Sequence, residues 1–111
     1  MGSQMKKFHI ALAVTDIEAS VSDYAQRLGC RPDIVIPHEY ALWRTPALNL
    51  SIRRAPAGDG GTLRHLGWED LASPAFSAER DVNGILWEHF SSEQQAEEIR
   101  QAWPSVTYRP R

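Results

Sequence analysis

The stretch FHIALAVTDIEASVSDYAQRLG, residues 8–29, decides the fold. Its first seven residues alternate. Phe8, Ile10, Leu12 and Val14 fall on one face, and His9, Ala11 and Ala13 on the other, as a strand requires. The period then changes: Ile17, Val21, Tyr24 and Leu28 recur at helical intervals. Thr15 and Glu18 have capping-box spacing, and Gly29 suits the left-handed position that ends a helix. The pattern predicts a strand over 7–14 feeding a helix over about 17–28, with the bulky strand face packed on that helix. The other face is too small for a core and too apolar for a wet surface, yet it carries a histidine. A buried imidazole without a partner costs about 1–3 kcal/mol, and Ala11 and Ala13 offer none.

Beyond Pro32 the helical pattern stops. DIVIPH, EYALWRT and LNLSIRR are short, rich in β-branched or aromatic residues, and separated by turn residues, so each is expected to be a strand. Asn49, Ser51 and Arg53 share one face of the last, opposite Leu48, Leu50 and Ile52. APAGDGG, residues 55–61, is the natural boundary between two halves. The second half opens with LRHLGWE, where Leu63, His65, Gly67 and Glu69 share a face opposite Arg64, Leu66 and Trp68. Asn83-Gly84 marks a hairpin, and in its second arm Leu86, Glu88 and Phe90 oppose Ile85, Trp87 and His89. SSEQQAEEIRQAWP follows as a helix capped by Ser91 or Ser92 and stopped at Pro104, with Ala96, Ile99 and Trp103 as its apolar stripe. SVTYR is expected to add a final strand. The halves thus read β-α-β-β-β and β-β-β-α-β, one domain over 1–111 with modules about 5–54 and 62–109.

A chain of 111 residues supports one modest core. Net charge is −2, with 12 basic and 14 acidic residues, so nothing in the charge balance points to nucleic acid or an acidic membrane. No apolar run approaches the ~18–20 residues of a transmembrane helix. The start, MGSQMKKFHI, has no apolar signal core, and Met5 reads as the natural start after four added residues. Cys30 is the single cysteine, read as packing at the helix end; its isolation fits a reducing cytoplasm.

The faces with small residues collect His9, Asn49, Ser51, Arg53, His65, Glu69 and Glu88. The stretches FHIALAVTDIEASVSDYAQRLG, EYALWRTPALNLSIRR, LRHLGWED and DVNGILWEHF, in that order, resemble the vicinal oxygen chelate superfamily, which includes glyoxalase I, extradiol dioxygenases and bleomycin-resistance proteins. The last is similar to that family's closing turn, D-P-[DN]-G-x-x-x-E. The resemblance implies an α+β fold of paired β-α-β-β-β modules, the second shortened. It implies a divalent ion (Zn, Ni, Mn or Fe) held by His9, His65 and Glu88, with Glu88 also catalytic. Two histidines and a carboxylate leave open positions for a substrate's oxygens. Asn49 stands where some members carry a fourth, acidic ligand.

The stretch between His65 and Glu88 is much shorter than the family's usual span. Glu88 then reaches the histidines within the chain or from a partner subunit, with Glu69 and His89 as substitutes. Asn49, Ser51, Arg53 and Trp43 are the candidate substrate-binding residues. The expected function is a metal-dependent lyase, isomerase or dioxygenase acting on a small oxygen-rich molecule. The alternatives are a binding protein without catalysis and a structural member whose histidines are simply hydrogen-bonded. A half-barrel with an open concave face predicts a homodimer.

Overall fold

Phe8 to Val14 lie at the centre of a seven-stranded mixed sheet, and everything that matters for the site follows from what borders them. The structure, a computed structural model, describes residues 6–111, so the expectation for Met5 lies outside the described residues. In chain order the elements are β1 (Lys6–Val14), α1 (Ile17–Leu28), β2 (Ile34–Ile36), β3 (Tyr40–Arg44), β4 (Leu48–Arg54), β5 (Thr62–Asp70), β6 (Ser77–Arg80), β7 (Leu86–Phe90) and α2 (Ser92–Ala102). The strand order is β2-β3-β4-β1-β5-β7-β6. β1 runs parallel to β4 and antiparallel to β5, and β5 runs parallel to β7.

α1 occupies the expected span. Its N-cap is Asp16, whose side chain accepts from the Ala19 amide, and not Thr15. Glu18 instead turns outward to the His38 backbone amide and ring. Gly29 closes the helix at φ 75°, where a side chain would be strained. The helix covers the bulky face of the first half: Val14, Ile17, Ala41, Trp43, Leu50 and Ile52 form a buried cluster, joined by Ile10, Leu12, Val21 and Tyr24.

α2 starts with a capping box. The Ser91 hydroxyl accepts from the Gln94 amide, and the Gln94 side chain accepts from the Ser91 amide. It lies on the opposite face of the sheet from α1. Ile99 packs there with Ile36, Tyr40 and Leu42, and Trp103, Val106 and Tyr108 complete this second cluster. Two expectations change here. SVTYR forms no strand; Val106 and Tyr108 serve the second cluster, and the Tyr108 carbonyl accepts from Arg100. Nor is the small-residue face left fully open, because α2 covers it beside β3 and β4, with Ile99 on Tyr40 and Leu42 and Gln95 on Asn49. Cys30 is exposed and contributes no packing side chain; its carbonyl accepts from the Trp43 indole.

The second half has no helix between β5 and β6, only the short segment 71–76. β6 and β7 therefore fold straight back as a hairpin, and β7 docks beside β5. Asp81 organises the turn by accepting from the Asn83 and Ile85 amides and the Trp87 indole. On the outer face of this half Trp68 and Trp87 each pack against Phe8 of β1.

Candidate metal centre

His9 on β1, His65 on β5 and Glu88 on β7 meet within one chain. Glu88 needs no partner subunit: with the intervening helix absent, β7 lies in parallel register beside β5, Gly67 opposite Glu88. Gly67 permits this approach. A Cβ at residue 67 would fall on the Glu88 backbone carbonyl, so any side chain there would push β7 away.

The three ligand atoms converge. His65 Nε2 is 2.9 Å from His9 Nε2 and 2.9 Å from Glu88 Oε1, and His9 Nε2 is 3.9 Å from the same oxygen. A triangle with these edges is centred roughly 2 Å from each corner, and zinc bonds to nitrogen and oxygen run about 2.0–2.2 Å. His9, His65 and Glu88 thus form a group that could hold a metal ion.

What surrounds His9 decides which of its nitrogens faces the centre. His9 Nδ1 lies 2.8 Å from Asn49 Oδ1 and 3.1 Å from the Asn49 carbonyl. Asn49 Nδ2 donates to Glu69 Oε1 and to Gln95 Oε1, both at 2.8 Å, while Gln95 Nε2 donates back to Asn49 Oδ1. Glu69 is in turn gripped by Arg44, Nε to Oε1 and Nη2 to Oε2, each at 2.8 Å. Burial pushes the Glu69 carboxyl up, but the hydrogen bonds from Arg44 and Asn49 and the Arg44 charge outweigh it and hold it below the usual range. An ionised Glu69 can only accept, so the Asn49 amide must turn its nitrogen to Glu69 and its oxygen to His9. His9 Nδ1 then faces two acceptors and carries the proton. Its Nε2 is left bare, with the lone pair aimed at His65 and Glu88. Burial lowers the His9 pKa to about 4; the Asn49 hydrogen bond opposes this shift without cancelling it, so the ring is neutral at pH 7. A neutral imidazole with an oriented second nitrogen is the form a metal requires. This answers the question the first strand raised: the partner of His9 is Asn49, delivered by the parallel pairing of β1 and β4.

The group opens into a pocket of about 90 Å³, lined also by Ser51, Arg53, Arg64, Glu98, Phe76 and Phe90. One water needs on the order of 10–15 Å³ of such space, so the pocket has room for several waters or a small molecule. Phe90 stacks on Phe76 and meets the His9 ring edge-on, walling the centre on one side.

Of the substrate-binding candidates, Ser51 and Arg53 line this pocket. Asn49 is fully buried behind His9 and reaches the centre only through it. Trp43 lies on the other face of the sheet, in the α1 cluster, because alternation along β3 sends Tyr40 and Leu42 toward α2 and Trp43 toward α1. The two substitutes considered for Glu88 are engaged elsewhere: Glu69 with Arg44, and the half-exposed His89 with Asp70 at 2.8 Å.

Two pocket residues escape strand alternation or the charge pattern. Arg64 should face away from His65. The register of β5 against β1 slips between Ala11 and Leu12, pairing Ala11 with His65 but Leu12 with Leu63. Arg64 is the extra residue of this bulge, and a bulge re-aims the side chain it inserts. Glu98 comes from α2, whose placement over the sheet is a tertiary choice. Its carboxyl is held above the usual range by partial burial and then by the nearby Glu88.

No family model matches the chain, and no curated protein matches it. A solved structure described as a hypothetical protein from Staphylococcus aureus is similar in fold, with a TM-score of 0.55 at 8% identity over 77% of this chain. The match takes in 33% of that protein's chain, so the present chain spans about a third of its length. This likeness supports the α+β architecture alone.

Proposed function

We propose that the chain binds a small oxygen-rich molecule at a divalent metal ion held by His9, His65 and Glu88, as a metal-dependent enzyme of the vicinal oxygen chelate type. The observation that carries this reading is the convergence of three ligand atoms with His9 Nε2 left bare by the Arg44–Glu69–Asn49 chain. A proton on His65 Nε2 can point well at only one of its two neighbours, whereas a cation satisfies all three lone pairs at once. Three protein ligands leave positions open, and the ion would supply Lewis-acid polarisation of a bound oxygen. The protein's own part is to keep His9 neutral and oriented, to shield the centre with Phe76 and Phe90, and to receive the substrate against Ser51 and Arg53. The two halves around β1 and β5 then correspond to paired modules, the second without its helix.

The test is metal content of protein purified without an immobilised-metal column, followed by thermal unfolding with added Zn²⁺, Ni²⁺, Mn²⁺ or Fe²⁺. At a hundredfold excess over Kd, a bound ion raises stability by about 2.7 kcal/mol. His65→Ala should abolish the gain. No gain with any of the four metals would refute the proposal.

The aromatic wall of Phe76, Phe90, Tyr40 and Trp103 favours a second reading, ligand binding without catalysis. That reading expects stabilisation by aromatic ligands that EDTA leaves intact.

A further inference from the structure

We propose that Arg53 and Arg64 form a carboxylate-binding wall across the pocket from His9, His65 and Glu88, so that the ligand is a small organic acid. This deepens the proposed function and rests on its metal centre for where the rest of the ligand goes. Arg53 projects from β4 and Arg64 from the β5 bulge, and both line the one pocket into which His9, His65 and Glu88 face. Among the described residues, neither guanidinium forms an ion pair or donates a side-chain hydrogen bond. The other arginines of the sheet and of α2 are engaged: Arg44, Arg54 and Arg100 each hold a carboxylate, and Arg80 donates to the Gly84 carbonyl. Arg53 instead lies over the Trp103 ring at 5.0 Å, which fixes its plane without using its donors. Arg64 stands in the same pocket lining as Arg53, on the neighbouring side of the sheet's centre.

Two cations share one wall. Glu98 on α2 is the acidic group near both of them, and Glu88 faces the histidines. With the Glu88 charge assigned to the metal ion it would ligate, two formal positive charges against Glu98 leave a single positive charge, which one carboxylate neutralises. A guanidinium fork matches a planar carboxylate in two parallel hydrogen bonds, and a pair of forks can take both of its oxygens. The bulge gives this wall its second member. With regular pairing Arg64 would face outward and Arg53 would stand alone.

The experiment uses the full chain and two probes of one size, succinate and its diamide succinamide, titrated calorimetrically in EDTA and again with Zn²⁺. Succinate should bind roughly tenfold or more tightly than succinamide, the expected scale for charge-assisted hydrogen bonds. Arg53→Met and Arg64→Met should each weaken succinate roughly tenfold and leave Zn²⁺ affinity unchanged, while Arg64→Lys, which retains the charge and the fold, falls between. Equal binding of the two probes, or succinate affinity indifferent to Arg64→Lys and both Met variants, overturns the proposal even if Zn²⁺ binds. Inorganic phosphate binding more tightly than succinate through the same arginines overturns the carboxylate assignment. Arginine-dependent succinate binding in a chain that takes no metal upholds the wall and refutes the metal centre.

Discussion

Replacing His9 should flatten the acid side of the stability curve. In the folded chain burial holds its pKa at about 4 against an ordinary 6.5. Between these values the unfolded chain binds a proton that the folded chain refuses. Folding stability therefore rises with pH through that window and is complete above 6.5; as pH falls from 6.5 toward 4 it is progressively lost. At about 1.36 kcal/mol per pH unit, the whole window is worth about 3 kcal/mol. That is a large share of the roughly 5–15 kcal/mol that keeps a domain folded. Glu69, held below its ordinary 4.5, surrenders its own stabilisation only at lower pH, and Glu98, held above it, is present in both proteins. His9→Gln keeps a side chain able to donate to Asn49 but does not titrate. Urea unfolding at intervals from pH 7 to about 4.5, with EDTA present so that only protons are exchanged, measures both proteins. Groups remote from residue 9 are common to the two and cancel in the difference. The natural chain should lose about 2–3 kcal/mol more than the variant over this range. Parallel curves would refute the reasoning, since they would mean that His9 accepts a proton in the folded state as readily as in the unfolded one.

Gly67→Ala should destabilise by about 1–3 kcal/mol through overpacking and weaken Zn²⁺ binding as well, because the added methyl displaces the Glu88 backbone; denaturation and metal titration read the two effects separately. Glu69→Gln frees the Asn49 amide to turn over and should cost roughly 10–100-fold in metal affinity, with ¹⁵N shifts of the His9 ring reporting loss of the Nδ1–H form. Ser91→Ala removes the α2 cap and should lower stability by about 1 kcal/mol without altering zinc affinity at fully folded protein concentrations.

The first strand and α1 were legible because both rest on local periods. The alternation of residues 8–14 and the helical spacing of Ile17, Val21, Tyr24 and Leu28 appear in the structure where they were expected. The split into a bulky face and a face of His9, Asn49, Ser51 and His65 was legible for the same reason. What sequence could not supply was non-local. The proximity of Glu88 to His65 depends on β7 pairing with β5 after a missing helix, and no local pattern encodes a missing element. Asn49 was read as a substrate-binding residue because its residue type was considered alone; its place comes from a chain of partners ending at Arg44. SVTYR alternates well enough for a strand, but β2 already forms that edge of the sheet, and Val106 and Tyr108 are spent on covering it. Arg64 was assigned to the wrong face because a bulge adds a residue without changing composition.

That added residue has a consequence for how such a pocket diversifies. Removing residue 64 alone would let Leu63 follow Leu12 across an unbroken ladder while His65 stayed opposite Ala11. The His9–His65–Glu88 group would be untouched and one cation would vanish from its rim. Here a change of chain length by one, with no substitution, alters the pocket's rim, and the register on either side absorbs the difference.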